Sequence, residues 1–366
     1  MKKLLLICCV FCIISCTKKY TIERSFCYWK TSNYSNNIEK QTADSLGVNH
    51  IYMRMFDVGW NPYDKQPKPI ATLWDLSDDN NRLNITPSVY ITNDVLLQSS
   101  RQQLQELAKN IKNRITRIIE TSGEKTVRYT VYKYGLDGNE QAACEKEEQQ
   151  IFNDRFTEVL IDCDWTVKSQ GNYFYLLREI KKQLPHYKLA TTIRLWQYRD
   201  YKQAGVPPSD RGLLMCYNMS DPAKHQNENS IGSSKIMAQY INHDNYPLKL
   251  DAALPIFNWA LVFRGNKFKG ILPEGYYNID DIDFKKIADN RFIIKHDMVI
   301  SETYYRKGDE IRVEKVSDGE MKKMITLLKN NIDLEGSRVT FFSWNESYIN
   351  NYGIKTITGY YSLFGE

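Results

Sequence analysis

Short apolar runs of β type alternate with helix-like stretches from one end of this chain to the other. The runs span residues 25–29, 50–56, 85–91, 158–164, 188–195, 212–217, 250–257 and 338–344. Parallel strands need crossover connections to pair, so a strand followed by a helix, repeated eight times, predicts an α/β fold of the closed (β/α)8 barrel type. The clearest helical stretches are 99–120, 173–183, 233–242 and 318–331. Two segments break the repeat. Residues 126–141 read as two alternating strands about Gly135-Leu136-Asp137-Gly138, and 263–316 contains strand-like pieces about Lys307-Gly308-Asp309; both are expected as β-hairpin insertions into one barrel.

The first residues are expected to target the chain rather than fold with it. Lys2 and Lys3 precede an apolar run from Leu4 to Ile14 that is too short to span a bilayer. The run ends at Ser15-Cys16, which resembles the bacterial lipobox, and that resemblance makes Cys16 the acylated first residue of the mature chain. An ordinary secretory signal cleaved nearby is the alternative, and both readings export the protein. Residues 1–15 are then signal, and 16–366 form a single barrel domain carrying both insertions. About 350 residues suit a barrel of this kind.

Composition excludes several classes of function. Loss of Lys2 and Lys3 takes the formal charge from +5 to +3, and the remaining charges are interspersed, which argues against a nucleic-acid partner. Of eight cysteines, Cys8, Cys9 and Cys12 leave with the signal, and Cys27, Cys144, Cys163 and Cys216 show no C-x-x-C spacing. Cys163 and Cys216 lie in apolar runs, where buried free thiols rather than disulfides are expected. The five histidines form no helical pair, so neither a metal nor another cofactor is expected. Aromatic residues make up 13% of the chain, with 25 tyrosines, more than packing alone usually demands.

Leu160-Ile161-Asp162-Cys163-Asp164-Trp165-Thr166 carries the sharpest chemical signal. Residues i and i+2 of a strand share a face, so Asp162 and Asp164 point together into the barrel or its mouth. Two buried acids side by side are costly unless they share a proton or have partners. Either they serve a site, or they bond with Arg194 and backbone amides to stabilise the barrel.

This segment resembles the D-x-x-D-x-D-x-E motif that family 18 glycoside hydrolases, the chitinase clan, carry at the end of the fourth strand. Three further stretches resemble that family in the correct strand order: Leu214-Met215-Cys216-Tyr217-Asn218, Ala253-Leu254-Pro255-Ile256-Phe257 and Phe341-Phe342-Ser343-Trp344-Asn345. The resemblance implies that Asp164 orients the acetamido group of a sugar, with Asp162 behind it, and that Trp344 floors the sugar subsite. It also implies a glutamate as general acid, but Thr166 stands there and Val159 replaces the first aspartate. A hydroxyl cannot supply general acid catalysis, which is worth roughly 10²–10⁴ in rate.

Other candidates lie at strand ends, where barrel enzymes hold their sites. Asp57 and Glu346 are candidate substitute acids, and Tyr217 joins Asp162 and Asp164 as a candidate catalytic residue. Arg194, Asn218, Trp60, Trp259, Trp344 and Thr166 are candidate saccharide contacts, whereas Trp165 and Trp196 are expected to pack against helices or loops. The chain thus reads as an envelope lipoprotein that cleaves or binds a saccharide, held to the membrane by lipid. A non-catalytic scaffold barrel is the alternative. Thr17-Lys18-Lys19 lacks the acidic residues that mark surface export in some lipoproteins, which favours a periplasm-facing position. The sequence sets no oligomeric state.

Overall fold

A computed structural model of the chain describes residues 18–30, 37–73, 76, 83–241, 246–272, 283–300 and 302–365. The signal segment and Cys16 lie outside these residues.

Eight parallel strands close into a barrel: β1 (Ile22–Tyr28), β2 (His50–Asn61), β3 (Asn84–Ile91), β4 (Glu158–Asp162), β5 (Lys188–Arg194), β6 (Arg211–Met215), β7 (Leu250–Pro255) and β8 (Ser337–Phe342). Each pairs with the next, and β1 closes the ring on β8 with Phe26 opposite Phe341. The (β/α)8 expectation from the alternating pattern therefore holds. Helix Asp318–Asn331 matches its predicted span, with the Ser317 hydroxyl accepting from Glu320 N at 3.3 Å, as an N-cap should.

The 126–141 hairpin does not exist. Arg101–Tyr134 is one continuous helix, and Gly138–Asp154 is a second that returns beside it. The Gly-rich turn was read correctly as a reversal, but it joins helices: Gly135 at φ 60° supplies the left-handed cap on which the first helix ends. The β-branched residues Thr126, Val127 and Val131 continue an apolar stripe begun by Ile111, Ile115, Ile118 and Ile119, and packing of that stripe overrides their strand propensity. Helix 233–242 is also overestimated. Among the described residues of that span only Ser234–Met237 is helical, and this single turn with the residues after it suffices to bury Met237 and Ile241.

Between β7 and helix Asp318–Asn331 the chain forms an antiparallel sheet in which Glu310–Lys315 lies between Asn258–Arg264 and Arg291–Ile294, so strands do occupy the predicted 263–316 insertion. Arg312 and Glu314 make an ion pair of 2.7 Å there with no exposure of either side chain. Arg312 also donates to the carbonyls of Pro222, Lys224 and His225, and Glu314 accepts from the Ser230 amide. The pair thereby ties the loop after β6 to the inserted sheet.

Inward residues form two polar tiers. At the N-terminal end, Arg338 donates to Glu158 at 2.6 Å and to Glu23 at 2.8 Å, while Asp251 accepts from Tyr52 and Arg211. His50 bonds Ser25 and Thr86 at 2.8 Å each; burial, aided by Arg338 and Arg211, holds its pKa well below the ordinary value. Every acid in this tier has partners, so its chemistry is spent on closing the barrel.

Candidate acid and arginine site at the barrel mouth

The second tier lies at the C-terminal end. Alternation along β4 sends Glu158, Leu160 and Asp162 inward, which puts one acid at each end of the barrel. Tyr90 is Asp162's partner in the β3–β4 ladder, and Thr192 on β5 donates to Asp162 Oδ1 at 2.7 Å. Arg194, two residues further along β5, grips Asp164 through both carboxylate oxygens, with Nη2 to Oδ2 at 2.5 Å. The two acids are therefore held differently.

Asp164 is 40% exposed and ion-paired with Arg194, which is 29% exposed, so the pair is partly open to solvent. Asp162 is buried. Burial pushes its carboxyl up to about 6, Asp164 adds to the rise, and Thr192, Arg194 and Arg54 oppose it. Burial also pushes the Tyr90 hydroxyl up to about 12, helped by the charges of Asp164 and Asp162, so Tyr90 stays a hydrogen-bond donor.

A consequence for stability follows from Asp162. Its native pKa of about 6 lies above the ordinary aspartate value, so burial carries no ionisation penalty below pH 4, and the penalty grows as pH rises to about 6. Asp162→Asn, which can still accept from Thr192, is expected to stabilise the protein by about 1–3 kcal/mol at pH 7 and negligibly at pH 4. Denaturant midpoints of both proteins at the two pH values check this; an equal difference at both would show that Asp162 is not the titrating group.

The substitute acids do not join this site as free carboxyls. Asp57 is buried and ion-paired with Arg54, whose Nε donates to Oδ1 at 2.6 Å and whose Nη1 donates to the Trp29 carbonyl at 3.2 Å. Glu346 is exposed in the first turn of helix Glu346–Tyr352 and makes no hydrogen bond with the Asp162/Asp164 pair. Thr166 is exposed on the turn before helix Gln170–Gln183, where its amide donates to Ser169 Oγ at 2.9 Å.

The aromatic candidates divide. Tyr217 is buried at the mouth, stacked on Phe342 with centroids 4.7 Å apart, and Phe342 also meets Trp29 at 5.6 Å. Asn218, next to it, is exposed in the left-handed region at φ 51°. Trp259 is half-buried, with its indole N–H donating to Glu314 at 2.7 Å. Trp60 is half-buried opposite Pro67 on the hairpin that extends β2. Trp344, which the motif resemblance cast as a sugar platform, is only 3% exposed and packs edge-on against Phe26 at 4.9 Å, so almost none of its ring is open to a ligand. Trp165 packs on Tyr173 and Phe174 of the following helix, as expected.

Three participants escaped the sequence reading. Tyr90 and Thr192 sit at inward positions of strands that were recognised, so period-two alternation counted from the strand ends would have found them. Arg54 carried no comparable signal, because its role depends on Asp57 and on the carbonyl of Trp29. Among the described residues no group of three or more His, Cys, Asp and Glu side chains could hold a metal ion. Cys27, Cys144, Cys163 and Cys216 are free thiols.

Fold and site together define a (β/α)8 barrel with an aspartate–arginine pair open to solvent at its C-terminal mouth. No family model matches the chain. No curated protein matches it either. Among solved structures it is similar to the spore cortex-lytic enzyme SleL of Bacillus cereus, at 13% identity over 95% of this chain and 75% of that one, with a TM-score of 0.46. It is also similar to the C-terminal domain of Legionella pneumophila ChiA, at 10% identity over 93% and 97% with a TM-score of 0.39. The catalytic domain of a hyperthermophilic chitinase from Pyrococcus furiosus gives 10% identity over 95% and 98%, with a TM-score of 0.38. Likeness at this level carries no chemistry; the barrel reading stands on the strand ladder itself.

Proposed function

We propose that this protein is a lipoprotein of the cell envelope, acylated at Cys16 and facing the periplasm, whose barrel mouth binds a saccharide without cleaving it by the family 18 route. The observation that carries this reading is the Asp164–Arg194 pair, ordered by two hydrogen bonds yet partly open to solvent at the mouth. Such a pair offers carboxylate lone pairs and guanidinium N–H groups to sugar hydroxyls, with the Tyr90 hydroxyl beside it as a further donor. The acid that the family resemblance implies is not at its place: Thr166 stands there, and the substitute candidate Asp57 is engaged with Arg54. A second reading, hydrolysis with Asp162 as the acid, is favoured by its pKa of about 6, which lies close to working pH.

A glycan array combined with a hydrolysis screen, on protein beginning after Cys16, tests both. The expected result is binding without turnover, with affinity falling about tenfold or more in Asp164→Asn, since hydrogen bonds to a charged group are worth about 1.5–3 kcal/mol. Thr166→Glu is expected to gain no cleavage of acetamido sugars, because the ring that should floor their subsite, Trp344, is buried. Cleavage by the native protein that disappears in Asp162→Asn would favour the hydrolase. If no glycan is bound or cut, both sugar readings fall and the barrel is a scaffold.

A further inference from the structure

We propose that the helical hairpin formed by Arg101–Tyr134 and Gly138–Asp154 is a second membrane contact, its tyrosine-bearing tip resting on the neutral headgroups of the bilayer that holds the lipid anchor. The proposal rests on the Cys16 reading for its orientation, and on described residues for its surface.

The hairpin and the anchor leave the barrel at the same end. β1 begins at Ile22, opposite Ser337, and the Gly336 amide donates to the Thr21 carbonyl, so the chain enters at the N-terminal end of the barrel. Cys16 is six residues before Ile22. At no more than about 3.5 Å per residue, its lipid lies within roughly 20 Å of that end. The returning helix of the hairpin finishes there too, since the Ile85 amide at the start of β3 donates to the Arg155 carbonyl.

The hairpin reaches well beyond that end. Gly123 faces Gln149 and Phe152, which puts residue 123 level with the last turn of the returning helix. From Gly123 to Tyr134 the helix advances about 1.5 Å per residue, so the tip stands roughly 17 Å past the barrel on the side of the anchor. At this tip Tyr129, Tyr132 and Tyr134 are 40%, 84% and 66% exposed. Lys133 lies 5.9 Å from the centre of the Tyr129 ring and 5.6 Å from that of Tyr134. Tyrosine suits the bilayer interface, where its ring meets the acyl boundary and its hydroxyl meets water. The acids Glu124, Asp137, Glu140, Glu145, Glu147 and Glu148 outnumber Lys125, Arg128, Lys133 and Lys146, so this end of the hairpin has no net attraction to an anionic surface, which favours zwitterionic lipid as the partner.

Flotation with phosphatidylcholine vesicles tests the contact, using the full chain in four forms: native, Cys16→Ser, and each of these with Tyr129→Ser, Tyr132→Ser and Tyr134→Ser combined. Palmitate labelling of the native chain, and its loss in Cys16→Ser, reports the anchor separately. The unacylated Cys16→Ser chain is expected to float measurably, and the three serine substitutions to reduce that several-fold with the circular dichroism spectrum unchanged. Equal flotation of the two unacylated forms, or tighter binding to phosphatidylglycerol than to phosphatidylcholine, would overturn the contact even if palmitate labelling succeeds. Absence of labelling would remove the anchor and leave the same flotation comparison to decide the tip.

Discussion

Arg312→Ala is expected to lower the unfolding free energy by about 3–5 kcal/mol, because it strands a charge in a place that water does not reach. Arg312 and Glu314 are both fully buried. Without the guanidinium, Glu314 would keep Ser230 and Trp259 as donors but lose its counter-charge, and the carbonyls of Pro222, Lys224 and His225 would lose theirs. The loop that follows Asn218 at the mouth would then come away from the inserted sheet. A surface pair gives the contrast: Lys322 and Asp318 are each more than half exposed, so Lys322→Ala should change stability by less than about 1 kcal/mol. Guanidinium unfolding of the two variants measures both effects. Equal, small shifts would mean that solvent reaches Arg312 and that the pair does not hold the loop.

Trp344→Ala is expected to cost about 3–5 kcal/mol, the range for truncating a large aromatic side chain in a core. Its ring meets Phe26 edge-on, and its backbone amide donates to the Cys27 carbonyl at 2.7 Å, so the residue joins the end of β8 to β1 where the barrel closes. Saccharide affinity, measured on the protein that remains folded, should change little. Both quantities come from one preparation by thermal melting and titration calorimetry at a temperature well below the midpoint. A small change in melting temperature with a large loss of affinity would return Trp344 to the role of sugar platform.

Much of the barrel was legible because its strands announce themselves locally. Each of the eight parallel barrel strands was located from an apolar run of a few residues, and the Asp162/Asp164 pair was placed at a strand end by counting alternation alone; the strand Gln66–Thr72 that pairs antiparallel with β2 was not located. Helix Asp318–Asn331 was equally plain, since Ser317 and the spacing of Met321, Met324, Ile325 and Leu328 state its start and its buried face within the segment itself. Residues 126–141 misled for the same reason that the strands were found. Their pattern of β-branched residues and Asp-Gly is local, whereas the helix is sustained by burial along an apolar stripe that begins 22 residues earlier, at Leu104.

What the sequence determined by itself is the period of each element and the side of the strand on which each acid falls, because backbone geometry imposes alternation whatever the neighbours are. Which acid is ion-paired at the surface and which is buried with a raised pKa was decided only by tertiary structure. The hydroxyl that bonds Asp162 and the guanidinium that grips Asp164 each lie 30 residues away along the chain and meet the acids through the register of β4 against β5. Burial of Trp344 was decided in the same way, by closure of β8 on β1, the pairing of strands most distant in sequence in the barrel. Local periodicity holds no record of such partners. The free energy of a buried charge or ring depends on what surrounds it in space, and that surrounding exists only once the ring of strands has closed.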